Sequence, residues 1–185
     1  MLKRNAIAAV TLSVGLSWFT APPLLGKPGA ALTERDRAEI RQLLVRYAQA
    51  LSTCASKDYA DLFTRDGVFI SDDFRGGKHR ELYGKSARLV GREKLIELVE
   101  TEEFCLNPVT RAERARAASG NANRPPPDVV IEATAEGAKG TLPLGRGGRY
   151  EDIYVKTAAG WRFKSRSVFM PPAADPQPAP PTKSR

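Results

Sequence analysis

The chain has 185 residues, too few for two ordinary domains, and its 29 lysines and arginines against 21 acids give a formal charge of +8. One histidine and two cysteines 51 positions apart match no metal-ligand spacing, and no nucleic-acid motif accompanies the basic balance. A metal site and a nucleic-acid partner are therefore excluded, and no cofactor is implied.

Lys3 and Arg4 precede the apolar run AIAAVTLSVGLSWF, which gives way to APPLLGKPGAA. A basic start, a short apolar core and a small-residue exit are the layout of a secretory signal. The run is shorter than the ~20 residues that span a bilayer, so cleavage and export to periplasm or medium are expected rather than anchoring. Gly29, Ala30 and Ala31 supply small residues for cleavage after Ala31, making residues 1–31 the signal peptide. Its removal takes away Lys3, Arg4 and Lys27 and lowers the charge from +8 to +5, a balance suited to membrane surfaces, envelope polymers and acidic small molecules. No membrane span is expected in the remainder.

Folding material occupies residues 32–170. Thr33 and Asp36 make a weak capping box, after which Ile40, Leu43, Leu44, Tyr47, Ala48 and Leu51 recur at helical spacing. KDYADLF reads as a short second helix, and Asp66–Gly67 as a turn before a first strand at Val68, Phe69 and Ile70. FRGGKHR is expected to be a loop, ELYGKSARLV a second strand, and GREKLIELVETEEF a third helix with one solvated side. LNPVTRAERARAASGNANRPPPD shows no period, and prolines 125–127 exclude a central strand; it reads as a long loop with a frayed helical turn over TRAERARAA.

VVIEATAEGAKGTLPL is a hairpin turning at Glu136–Gly137, and GRYEDIYVKTAAGWRFKSRSVF is another, with a bulged loop at Ala158, Ala159 and Gly160. The proline-rich segment 171–185 reads as a solvated, disordered tail. Helices in front and strands behind define an α+β domain, a curved antiparallel sheet wrapped around the N-terminal helices, with a concave side that offers a pocket. Cys54 and Cys105 are either one disulfide closing a loop of about 50 residues or two buried thiols.

In the last hairpin a three-residue turn pairs Thr157 with Trp161, Val155 with Phe163, Tyr154 with Lys164, Asp152 with Arg166 and Tyr150 with Val168. Ile153, Val155, Trp161 and Phe163 then form the core row, with Trp161 an anchor. Tyr150, Asp152, Tyr154, Lys164 and Arg166 form the other row, which is either a pocket lining or the solvated side of a sheet. Tyr47 either adds its hydroxyl to that pocket or sits in the core with the hydroxyl at the rim.

RQLLVRYAQAL, DYADLFTRDGVF, GREKLIELV and the final hairpin together resemble the SnoaL-like group of the nuclear transport factor 2-like superfamily, over roughly Thr33 to Phe169. The resemblance implies a cone-shaped α+β fold and, as in many members, a homodimer. It also implies a pocket lined at the positions of Asp152, Tyr154 and Arg166. The family's lyases pair an aspartate late in the first helix with a histidine on a later strand, a carboxylate-oriented imidazole base. The matching positions hold Ser52 and, if TRAERA is the remnant of that strand, Ala112. His79, the single histidine, falls in the Gly-rich loop and reads as an exposed side chain.

Two functions follow. One is an exported domain without the family's Asp/His pair that binds a small hydrophobic or amphipathic molecule, or a protein partner. The other is a lyase, isomerase or cyclase with Asp152 as base and Arg166 or Tyr47 stabilising negative charge.

Overall fold

The computed structural model describes residues 31–74, 77–121, 129–144 and 147–171. The signal-like segment through residue 30 and the proline-rich tail from residue 172 lie outside the described residues.

Helix α1 (Glu34–Ser52) begins at a reciprocal capping box, with Asp36 N donating to Thr33 Oγ1 and Thr33 N to Asp36 Oδ2, both at 3.1 Å. Ile40, Leu43, Leu44 and Tyr47 form its buried stripe. Asp36 also accepts from Trp161 Nε1 at 3.1 Å and from Lys156 Nζ at 2.7 Å, so the cap that starts the helix also fastens it to the last hairpin. Helix α2 (Ser56–Ala60) follows and buries Tyr59 completely.

Strand β1 (Phe63–Ser71) runs through the expected Asp66–Gly67 turn, which is instead an irregularity inside the strand: its register against β6 (Gly160–Phe169) jumps between Phe63 and Val68. A Cβ on Gly67 would lie 2.7 Å from that of Phe63, so the chain can fold back this tightly only at a glycine.

Three segments depart from expectation. GKHRELY is helix α3 (Gly77–Tyr83), not loop and strand, and the second strand shortens to β2 (Ala87–Val90). His79 and Tyr83, one helical turn apart, share the face of α3 that packs on Phe74, a tertiary contact that local glycine content hides. The third expected helix divides into α4 (Arg92–Glu100) and α5 (Glu103–Leu106). TRAERARAA lies within a full helix, α6 (Pro108–Asn121), at whose start Asn107 Oδ1 accepts from Val109 N at 2.9 Å.

β3 (Val130–Ala133) and β4 (Ala138–Pro143) make the first hairpin, β5 (Arg149–Thr157) and β6 the second. The six strands form one curved sheet in the order β2-β1-β6-β5-β4-β3, antiparallel except for the parallel pair β1–β6. Leu43, Leu44, Tyr59, Leu95, Leu98 and Val99 of α1, α2 and α4 join Phe63, Phe69, Tyr154 and Phe163 of the sheet in one α+β core.

The last hairpin differs from its expected register in two places that cancel. Its turn holds only Ala158 and Ala159, because Gly160, at φ +94°, already pairs with Thr157; Trp161 therefore faces Lys156, and Phe163 faces Tyr154. Lys164 then has no partner on β5, since Tyr154 pairs with Phe163 and Ile153 with Ser165, and this bulge restores the pairs Asp152–Arg166 and Tyr150–Val168. The inward row is Tyr150, Asp152, Tyr154, Trp161, Phe163 and Arg166. The expected core row fails at its β5 end, where Ile153 is 47% exposed.

Candidate functional site

Arg166 projects from β6 into the space between sheet and α1, and both it and Asp152 on β5 have fully buried side chains. Arg166 Nε donates to Asp152 Oδ1 at 2.8 Å and Nη2 to Oδ2 at 2.9 Å, a bidentate pair; Tyr154 Oη donates to the same Oδ2 at 2.7 Å. Gly140 of β4 makes room for this arrangement, because a Cβ there would lie 2.7 Å from Tyr154 Cε2 and 2.9 Å from its hydroxyl. Aromatic rings enclose the guanidinium: its Cζ lies 3.9 Å from the ring centroid of Tyr47, 4.0 Å from that of Tyr150 and 4.6 Å from that of Phe163.

Burial works against the Arg166 charge, but the Asp152 carboxylate outweighs it, and the guanidinium pKa stands above its ordinary value. Burial likewise pushes the phenols of Tyr47, Tyr59, Tyr150 and Tyr154 up, so all four are neutral donors. Asp152 has both oxygens committed. Arg166 has not: its Nη1 is buried without an acceptor, and so is the hydroxyl of Tyr59, whose ring lies 5.1 Å from that of Tyr47. A buried N–H with no partner costs on the order of 1–3 kcal/mol, a penalty that an acceptor oxygen entering the cluster would remove.

Tyr47, Tyr150, Asp152, Tyr154 and Arg166 thus come together in one cluster. Sequence reasoning missed Tyr59 and Gly140. Tyr59 could have been found as a second tyrosine on a short helix directly after the first, whereas nothing in the sequence marks Gly140 as the seat of an aromatic ring. The polar row is buried rather than solvated because the bulge at Lys164 turns Arg166 to the side that already holds Phe163.

Other expected residues fall elsewhere. Ser52 is half-buried at the last residue of α1, and no hydrogen bond or ring contact links it to the Arg166 cluster. Ala112 is exposed on α6, in a helix rather than the expected strand remnant. Lys164 leaves the row altogether and pairs with Asp66. His79 is not an exposed loop residue: its side chain is 11% exposed, Nε2 donates to Leu98 O at 2.7 Å, and Nδ1 lies 3.5 Å from Glu102 Oε2. Burial raises the Glu102 pKa, opposed by His79 and Arg114. Trp161 is buried against Asp36. Cys54 and Cys105 are joined, with Cα atoms 5.7 Å apart.

On the outer side of the sheet a groove of about 520 Å³ runs across β3–β6, lined by Val130, Glu132, Lys139, Thr141, Ile153 and Ser165 among others. Among the described residues no cluster of three or more His, Cys, Asp or Glu could hold a metal, and no helix is long and apolar enough to cross a membrane.

Among solved structures, the chain is similar to an NTF2-like protein with a cystatin-like fold from Novosphingobium aromaticivorans (17% identity, 76% of this chain and 85% of that one, TM-score 0.48). It is also similar to a protein of unknown function with a cystatin-like fold from Nostoc punctiforme (17% identity, 79% and 98%, TM-score 0.49). A third similar structure is ActVI-ORFA from Streptomyces coelicolor (16% identity, 71% and 94%, TM-score 0.48). No curated protein matches the sequence. The sequence pattern of the SnoaL-like domain matches residues 33–167, most of the chain and every element from α1 to β6, and the protein belongs to the SnoaL-like domain family.

Proposed function

We propose that this chain is an exported ligand-binding domain that takes a small hydrophobic or amphipathic molecule into its cone and works without the family's Asp/His pair. The carrying observation is Arg166 Nη1, a fully buried cationic donor with no acceptor, set among neutral phenols. Such a site favours a ligand with an apolar body and one carbonyl or carboxylate oxygen. Asp152 fits the role of positioning group, because its oxygens already accept three hydrogen bonds.

The test is thermal unfolding of the purified domain against a panel of sterols, polyketides and fatty acids, with and without their carbonyl or carboxyl oxygens. A ligand at 100 times its dissociation constant adds about 2.7 kcal/mol, and that gain should disappear in Arg166→Met and with the deoxy analogues. A panel that shifts nothing, or shifts wild type and Arg166→Met equally, would overturn the reading.

A lyase, isomerase or cyclase is the second reading, and the same Nη1 favours it as a donor to a developing oxyanion. It requires Asp152 to release a partner before taking a proton. Exchange of solvent deuterium into a bound ketone, abolished by Asp152→Asn, distinguishes it from binding alone.

Export is supported by the signal-like layout of residues 1–31 and by the Cys54–Cys105 bond, which suits an oxidising compartment. The mass of the protein recovered from the envelope or medium checks the cleavage. We extend the proposal to a homodimer, supported by exposed Ile153 and Val130 beside the outer groove; sedimentation of wild type and Ile153→Glu tests it.

A further inference from the structure

Helix α5 has only four residues and buries none of them, yet it joins the most superficial part of the chain to the core. Cys105 bonds it to Cys54, just beyond the end of α1. Phe104 holds α6 in two ways: its carbonyl accepts from Thr110 Oγ1 at 3.1 Å, and its ring lies 3.9 Å beneath the Arg114 guanidinium. Helix α6 lies against α1, but its described side chains are exposed except for half-buried Thr110. Glu102, the residue that caps α5, reaches His79 on α3, which keeps separate ties to Leu98 and Phe74.

The arm meets the core through half-buried Cys105 and supplies none of its fully buried side chains among the described residues. Leu95, Leu98 and Val99 anchor α4, while α1, α2 and the sheet share the main apolar cluster. Without the covalent link, α5 and the described side chains of α6 offer little buried apolar surface to hold the arm against the entropy of release.

We infer that the Cys54–Cys105 bond is a redox latch, which closes the α5–α6 arm onto α1 when oxidised and frees the arm without unfolding the core when reduced. Both cysteines are half-buried, so a dithiol reductant can reach the bond. Its thiolate attacks one sulfur to form a mixed disulfide and expels the other cysteine as thiolate. The reductant's second thiol then releases the first cysteine, leaving two protein thiols and an oxidised dithiol, with two electrons and two protons transferred.

Hydrogen exchange read by mass spectrometry on the full chain, with and without dithiothreitol, tests the latch. Reduction should speed exchange of residues 103–121 at least tenfold, raise that of α3 less, and leave α1, β5 and β6 unchanged. Cys105→Ser without reductant should reproduce the pattern, and the double variant Cys54→Ser/Cys105→Ser should not respond to dithiothreitol. If Cys105→Ser does not fold, the wild-type comparison still decides. Unchanged exchange on reduction would overturn the proposal, and so would an increase spread over the whole chain, which would mark the bond as a staple of the entire fold.

Discussion

Arg166 and Asp152 face each other across β5 and β6 with both side chains fully buried, joined by two parallel N–H···O bonds. Removing one partner of such a pair leaves an uncompensated charge and costs about 3 to 5 kcal/mol, whereas removing both costs far less. Asp152→Asn should therefore destabilise the domain more than the double variant Asp152→Asn/Arg166→Met does. Urea unfolding of the three proteins checks this, and a double variant less stable than Asp152→Asn would contradict it.

Gly140→Ala places a methyl group where the Tyr154 ring lies. The ring must move, at a cost of about 1 to 3 kcal/mol, and its hydroxyl should leave Asp152 Oδ2. In Tyr154→Phe, which already lacks that hydrogen bond, the same substitution should cost less, so a double-mutant cycle should return a coupling of at least 0.5 kcal/mol.

Acid should act on the cap of α1. Lys156, then Thr33, with Trp161 in support and burial opposing, hold the Asp36 carboxyl well below the usual carboxylate range. A depressed folded pKa contributes stability that is present above the unfolded value of about 4 and is lost as pH falls through the folded value. Asp36→Asn should lose about 1 to 3 kcal/mol at pH 7, with the gap to wild type closing as pH drops below about 4. A gap that stayed constant from pH 7 to pH 2 would show that the charge contributes nothing.

Cys54 is the one described non-glycine residue with positive φ, at +57°, in the position after a helix where glycine is favoured. Cys54→Gly and Cys54→Ser both lose the bond to Cys105, but only glycine relieves the backbone. Chemical denaturation should find the glycine variant more stable by about 1 kcal/mol.

Local chemistry made much of this fold legible. The Thr33–Asp36 cap, the helical stripe from Ile40 to Tyr47 and the two hairpins each have a signal within a few residues, although the loop of the last hairpin holds two residues and not the expected three. Helix α6 escaped because PVTRAERARAASGN holds almost no large apolar residue, which leaves no period to read. Helix α3 escaped because His79 and Tyr83 are held by Phe74 and Leu98, partners that only the fold supplies. At the site, Tyr150, Asp152, Tyr154 and Arg166 were legible as one row, with Tyr47 a candidate from α1, but the direction of the row was not. Alternation from Trp161 and Phe163 points Arg166 outward unless one knows of the extra residue between them.

That extra residue makes the chemistry of the cone a matter of counting. Lys164 is exposed and its ion pair with Asp66 is at the surface, so its side chain contributes little there. Lys164 is one unit of chain more than alternation allows between Phe163 and Arg166, and Arg166 faces inward because the bulge takes that unit out of register. A one-codon deletion at this position would keep every cluster residue in the sequence and restore strict alternation after Phe163. Arg166 would then stand two positions after Phe163 and still face inward, with Ser165 outward, so the deletion would remove the bulge and keep the fixed positive charge of the cone. Straightening the strand with Lys164 retained would instead put Ser165 inside and the cation in solvent.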